Sequence, residues 1–589
     1  MNAGRTSRPP APVPTALRPA TRQAIARGRA HLLERQSPDG AWRAVNQGGV
    51  PYTALVLVVE RFLGRLSDAD AARGCRFLVA QQRRDGGWAA SVGIDDSDVD
   101  ASVMACAALT AAGTGAGEPP GVAALDSGKR YLRDQNAAAR ARMESRLVAA
   151  MAGLWSAADR APTLAHRLVP GFDWAASRVV VGHALIGFTV FPLAARAIGA
   201  RLPLEPRSWF ERLELAAADR HLCETQEPSG SWMAVSFYTL LGAVGLHALG
   251  RRPSDPRLAR ALTWIDRAKS GGAEELRVAP TLSEVWDTAL ALQALQDSGG
   301  PDADAHARAL GFLRRQRVAG RLARRARATS SWAFAAECRH SEPDSTSVVI
   351  GALAAAADRQ PDQLHEATEF LRAMQNPDGG WSSFGRAGLL GRIAPGSSTP
   401  LGDPTSLDVT GRVLLALGRL GHTLAEPDVD AAVRLLVRAQ HPRGSWTSDW
   451  FVRDVVGTAF VVRGLRAVGL PASHPAVRKA LAWLASCQHA DGGWGEAWRA
   501  PGPSMPTTTA HVVLALTAAG QAAEPAASAA AMFLVERQRT DGGWRDGSPQ
   551  TAILPRYDLL YENDLFADYT VLTALARFQR ARQAMDGMQ

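Results

Sequence analysis

Cysteine is scarce in this chain of 589 residues. The five, Cys75, Cys106, Cys223, Cys338 and Cys487, are scattered with no C-x-x-C pair. That argues against a disulfide scaffold or a zinc site and fits thiols kept reduced in a cytoplasmic protein. Aromatics are only 6% of the residues, and Trp (16) outnumbers Tyr (6), which points to Trp in some repeated role. Long apolar runs are few. The longest, Val179 to Ala195 between Arg178 and Arg196, contains His183 and Pro192. It falls short of a membrane span and reads as a buried inner helix, so no transmembrane span is expected. Met1 to about Arg22 lacks the apolar stretch of a signal peptide; rich in Pro, Arg and Ala, it reads as a disordered lead-in. The formal net charge is +9, yet no basic tract interleaved with aromatics occurs. The charge therefore reads as solvated helix faces with some attraction for anionic substrates, not as a nucleic-acid surface.

What the chain does hold is a repeat. Gln36 to Trp42 reads QSPDGAW, Gln82 to Trp88 QRRDGGW, Gln226 to Trp232 QEPSGSW and Gln375 to Trp381 QNPDGGW. Gln440 to Trp446, Gln488 to Trp494 and Gln538 to Trp544 follow the same spacing, and a degenerate copy is expected from Gln316 to Trp332. Each copy has a turn signal between two helix-periodic stretches, which predicts helix, Gly turn, helix, many times over: an α-α barrel or α-solenoid. In that scheme Gln caps a helix end, Trp stacks over the turn, and neither is catalytic.

The stretch Ser341-Glu342-Pro343-Asp344-Ser345-Thr346, followed by the apolar run Ser347 to Leu353, opens a buried helix. Its plainer reading is an N-cap. Its chemical reading is a proton donor: burial and a like-charged neighbour keep a carboxylic acid neutral, and Glu342 and Asp344 can supply that neighbour for each other.

With these repeats in order from about Thr21 to Arg580, the chain resembles the class II terpene cyclases of the squalene–hopene cyclase type. The resemblance implies an all-α fold of two α-α barrels in a βγ arrangement. A lead-in (1–20) would precede an N-terminal γ-type barrel (21–270), a β-type barrel with the acid (271–580) and a tail (581–589). Ser283-Glu284-Val285-Trp286-Asp287-Thr288-Ala289 resembles the family's S-P-x-W-D-T-A, and Trp332-Ala333-Phe334 its W-A-F. By resemblance Trp286, Phe334, Phe384, Trp450, Tyr557 and Tyr561 line the cavity, and the segment Asp403 to Thr410, with Asp408, contacts the acid. Glu342, Asp344 and Ser345 fall on the family's Asp-x-Asp-Asp, so Asp344 inherits the donor role, with Glu342 beside it. Two departures stand out. Arg412 occupies the place of an acid-orienting His, and a cation there is expected to lower the Asp344 pKa and hold it ionised. Val456 replaces a water-ordering Tyr.

The implied reaction is protonation of a terminal alkene and ring closure through carbocations, in terpenoid biosynthesis. Two features favour a prenyl diphosphate, such as farnesyl or geranylgeranyl diphosphate, over squalene. Asp95, Asp96, Asp98 and Asp100 crowd into one loop. They are expected either to hold Mg²⁺ against a diphosphate, with Lys129, Arg130 or Arg133 nearby, or simply to cap the next helix. The link from Pro203 to Ala216 is short and is expected to lack the apolar segment by which squalene cyclases dip into a membrane. Squalene cyclisation at the membrane surface, with peripheral contact, is the alternative. A barrel that kept the fold and lost its chemistry is a second. A protein prenyltransferase subunit is disfavoured because no Asp/Cys/His zinc set accompanies Cys338 or Cys487.

Overall fold

Helices that are apolar on every side must be surrounded by others, whereas amphipathic ones can face water. Both kinds alternate here. In the computed structural model, which describes residues 17–91, 96–113, 119–155, 164–170, 184–200, 202–300, 302–321, 328–356, 358–384, 403–451, 453–496, 502–547, 551–552 and 560–586, they sort into two cores.

The second core is a double ring. Its inner helices are Glu284–Asp297, Pro343–Leu353, Leu407–Arg419, Arg453–Ala467, Pro506–Ala518 and Phe566–Asp586. Its outer helices are Ala303–Arg315, Pro361–Met374, Pro427–Arg438, Pro475–Ser486, Pro525–Glu536 and, closing the ring, Leu17–Glu34. Four of the outer helices open on Pro at the first position, where the missing N–H costs nothing. The first core gathers Val50–Phe62, Val99–Ala111, Ala184–Ala197 and Ser236–Ala248 inside, with Asp68–Ala80 and Pro256–Arg267 among the helices around them. The described part of the long apolar run, Ala184–Ala197, is buried there at Ile186, Val190, Leu193 and Ala194. Among the described residues no helix is long and apolar enough to cross a membrane.

One boundary differs from expectation. Residues 21–42 were expected to open the first barrel, but Leu17, Ala24, Leu32 and Trp42 pack in the second core. The reason lies in the repeat. The Gln538 side chain donates to the Ala24 carbonyl, so the last turn of the chain grips the first helix.

Every full copy of the repeat is tied the same way. The Gln375 amide donates to the Gly379 carbonyl inside its own turn (2.7 Å) and to the Asp428 carbonyl at the start of the next outer helix (2.8 Å). Gly379 sits at φ +99°, which only glycine adopts without strain. The Trp381 indole donates to Leu371 O at the end of the preceding helix, and its backbone N–H to Thr410 Oγ1 on an inner helix. Trp42, Trp88, Trp232, Trp332, Trp446, Trp494 and Trp544 repeat this and are all buried. In the degenerate copy the hairpin Val318–Arg321/Ala328–Ser331 is inserted; Trp332 keeps its place, while Gln316 accepts from the Glu337 N–H instead.

Short strands join the halves. Asn46–Gly48 pairs antiparallel with Leu560–Asn563, which brings Tyr561 and Asn563 beside the inner helix that starts at Glu284.

Candidate active site between the two helical cores

The acidic stretch lies where the cores meet. Glu342 is the N-cap of the inner helix Pro343–Leu353 and accepts from the Ser345 N–H at 2.8 Å. The capping reading therefore holds for Glu342 and leaves Asp344, one residue into the helix, free for other work. Both carboxyls line one cavity with Ser345, Trp286, Phe334, Phe384, Trp450, Phe451, Tyr561, Phe566 and Tyr569. Its empty space, mouth included, is about 750 Å³, within the range of small-molecule sites. Ser345 is fully buried there.

Arg412 grips Asp344 in a bidentate pair, Nε to Oδ1 at 2.6 Å and Nη2 to Oδ2 at 2.7 Å. Its third nitrogen reaches Asp408 at 3.4 Å. The guanidinium lies over the rings of Phe460 (4.6 Å), Phe451 (5.2 Å) and Trp286 (5.8 Å), a cage that suits a desolvated cation. Asp408 is fully buried, is held by Ser406 and Ser448, and meets Arg412, the partner of Asp344.

These surroundings set the titration of the acids. Burial pushes Glu342 up to about 8, helped by the neighbouring Asp344 charge. Burial also raises Asp344 above the ordinary aspartate value, although Arg412 pulls the other way. The expectation that Arg412 would lower the Asp344 pKa is thus corrected in direction: desolvation outweighs the cation.

The aromatic wall is positioned by backbone and side chain. The Phe334 carbonyl accepts from Val285 N and Trp286 N, which locks two lining residues together. Asp403 accepts from the Phe384 N–H at 2.7 Å, and Phe384 meets Trp450 edge to face at 5.3 Å. Tyr561 lines the cavity; Tyr557 lies outside the described residues. Sequence reasoning missed Phe451, Phe566, Tyr569 and Asn563. The spacing of Phe566 and Tyr569, i and i+3 on a buried helix, was the available signal. Tyr569 and Asn563 both donate to Asp287, a fully buried carboxyl that burial raises to about 7.

The acidic loop is less open to an ion. Asp98 is an N-cap, accepting from the Ala101 N–H at 2.8 Å, and Asp100 accepts from the Arg142 N–H at 2.8 Å and pairs with its guanidinium. Asp96 is exposed, and Asp95 lies outside the described residues. Among the described residues no group of three or more His, Cys, Asp or Glu is arranged to hold a metal. As placed, Asp98 and Asp100 do not fit Mg²⁺.

The link before the helix Trp209–Thr225 also differs from expectation. It was read as lacking an apolar surface, yet Trp209 is 73% exposed, with Phe210 and Leu213 exposed beside it. They share one side of the helix end because i and i+4 face the same way.

Two α-helical cores, a buried acid at an inner helix start and an aromatic-lined cavity between them define a class II terpene cyclase, an isomerase-type enzyme. The comparisons agree: residues 282–580 match the squalene-hopene cyclase C-terminal domain and residues 25–164 the N-terminal domain, so the chain belongs to the squalene–hopene cyclase family. It is 30% identical to the squalene–hopene cyclase of Alicyclobacillus acidocaldarius, with 89% of this chain and 92% of that protein covered. It is 27% identical to that of Zymomonas mobilis, with 94% of each covered. Among solved structures, the ent-copalyl diphosphate synthase of Streptomyces platensis shares the fold, with a TM-score of 0.58, 21% identity, and coverage of 95% of this chain and 99% of that one.

Proposed function

We propose that Asp344 donates the proton that starts cyclisation of a linear polyprenoid, and that the substrate is a prenyl diphosphate such as farnesyl or geranylgeranyl diphosphate. The observation that carries the donor role is the bidentate Arg412 pair. An alkene is a weak base, so its donor must be an acid whose conjugate base is stabilised the moment the proton leaves. Loss of a proton from Asp344 produces a carboxylate already facing two guanidinium N–H groups. Glu342, raised to about 8, is neutral at pH 7 and adds no negative charge to oppose that step. The developing cation then meets ring faces: Trp286, Phe334, Phe384, Trp450 and Tyr561 stabilise it without capturing it.

The diphosphate rests on the basic residues of the helix Pro119–Asp134, where Arg130 and Arg133 are exposed. Direct contact by those arginines suits phosphate oxygens and needs no ion on Asp98 or Asp100. A second reading, squalene taken up at a membrane surface, is favoured by the exposed Trp209, Phe210 and Leu213. Purified protein given farnesyl diphosphate, geranylgeranyl diphosphate and squalene in turn, with and without Mg²⁺, decides between them. A cyclic diphosphate supports the first reading, and a triterpene replaces it with the second.

A further inference from the structure

The inner ring of the second core encloses another cavity, on the far side of Arg412 from the acid pair. It is lined by all six inner helices, among them at Gln293, Arg412, Arg419, Arg463 and His511. Trp286, Phe566 and Tyr569 line both cavities and form the wall between them. Its empty space, mouth included, is about 650 Å³.

The charges around this chamber do not balance. Three guanidinium groups face it, and the two nearby carboxylates, Asp344 and Asp408, are both taken by Arg412. Arg419 donates to the Gln293 side chain, a neutral acceptor. Arg463, 7% exposed, has no hydrogen bond or ion pair among the described residues, and its guanidinium lies over the Phe460 ring at 5.7 Å. The next carboxylate along the barrel, Asp297, is occupied by Arg577 at 2.7 Å and by Arg580. Burial and the repulsion of neighbouring arginines push both Arg419 and Arg463 below the usual guanidinium range, yet arginine stays protonated in proteins. Arg419 is the last residue of its helix, where the C-terminal dipole favours a cation by about 0.3–1 kcal/mol. An unpaired buried charge costs several kcal/mol, so the dipole offsets only part.

A second observation points the same way. His511, 4% exposed, lines the chamber with both ring nitrogens unpartnered. A neutral imidazole carries one N–H to donate.

We propose that this axial chamber is a binding site for a small phosphoryl oxyanion, held by Arg419 and Arg463 with His511 as a further donor. Such an anion matches what the cavity lacks: negative charge and acceptor oxygens. The bound charge would lie one guanidinium from Asp344 and favour its neutral form. That consequence rests on the donor role proposed above, whereas binding itself does not.

The test is calorimetric titration of the full chain with inorganic phosphate and, separately, with diphosphate, in a buffer free of both and at constant ionic strength. Saturable binding of either is expected, with affinity falling about tenfold to a hundredfold in Arg463→Met, as expected for loss of a charge-assisted hydrogen bond. Without any anion, Arg463→Met should melt higher than the parent, because an uncompensated charge has been removed. Arg419→Gln provides the same reading should Arg463→Met fail to fold. No binding to the parent chain, or binding unchanged in both variants, overturns the proposal.

Discussion

At the scale of the residue, the acid pair is defined by unequal partners. Asp344 has Arg412 on both oxygens, and Glu342 accepts from the Ser345 backbone N–H with no cation paired to it among the described residues. Asp344→Asn removes the proton and keeps the shape, so turnover should vanish while the melting temperature stays within a few degrees. Product analysis beside a melting curve checks both, and retained cyclisation would dismiss Asp344 as donor. Glu342 gives a pH signature. A donor works in its protonated form, so activity is present at low pH and is lost as pH rises through the carboxyl's value. Ionisation of Glu342 near 8 adds a charge beside Asp344 and an alkaline inflection. In Glu342→Gln that inflection should be absent, which a kcat profile from pH 5 to 9 would read.

At the scale of the element, stability rests on turns and on close helix approach. Gln375→Ala removes two hydrogen bonds and strands two carbonyls, a cost of about 1–3 kcal/mol. Gly464 packs against the Gly411 carbonyl on the neighbouring inner helix, where a Cβ would collide with backbone. Gly464→Ala should therefore force Arg453–Ala467 away from Leu407–Arg419, costing about 1–3 kcal/mol and visible as a lower denaturation midpoint. The same contrast explains what the sequence revealed. The Gln–Trp turns were legible because their bonds join residues at fixed spacing, Trp381 to Leu371 and Gln375 to Gly379. Asp344 was legible because its helix start is local. The closing role of Leu17–Glu34 was not, since its partner Gln538 lies 514 residues away. Nor was the axial chamber: Arg412, Arg419 and Arg463 sit on two helices whose shared face only the ring packing determines. The exposure of Trp209 has the same origin, because an apolar helix end is buried or bare according to what tertiary packing places against it.

At the scale of the whole molecule, two properties follow from what is buried and what is bare. Glu342 and Glu496 are pushed by burial to about 8, and Asp287 to about 7, all above the values of an unfolded chain. Between pH 5 and 8 these carboxyls hold protons in the folded state that the unfolded chain has released, and below about 6.5 the buried His340 and His511, held neutral, offset part of this. Stability must then fall as pH rises through that window. Glu496 alone accounts for a loss on the order of a few kcal/mol, at about 1.4 kcal/mol per unit, and melting curves from pH 5 to 9 should descend steadily. A flat series would mean that these carboxyls are ionised in the fold. The bare surface makes the opposite kind of demand. Trp209, Phe210 and Leu213 leave apolar area in water, and the exposed Val169 follows the short helix that packs on theirs. A ring such as Trp at a helix end suits the boundary between headgroups and acyl chains, and a net charge of +9 adds attraction to anionic lipid. The full chain should co-sediment with vesicles containing phosphatidylglycerol, and Trp209→Ser with Phe210→Ser should lose most of that binding while melting unchanged. If binding survives the double substitution, charge alone holds the protein to the vesicle; if the parent does not bind, the patch has no lipid role and the squalene reading loses its support.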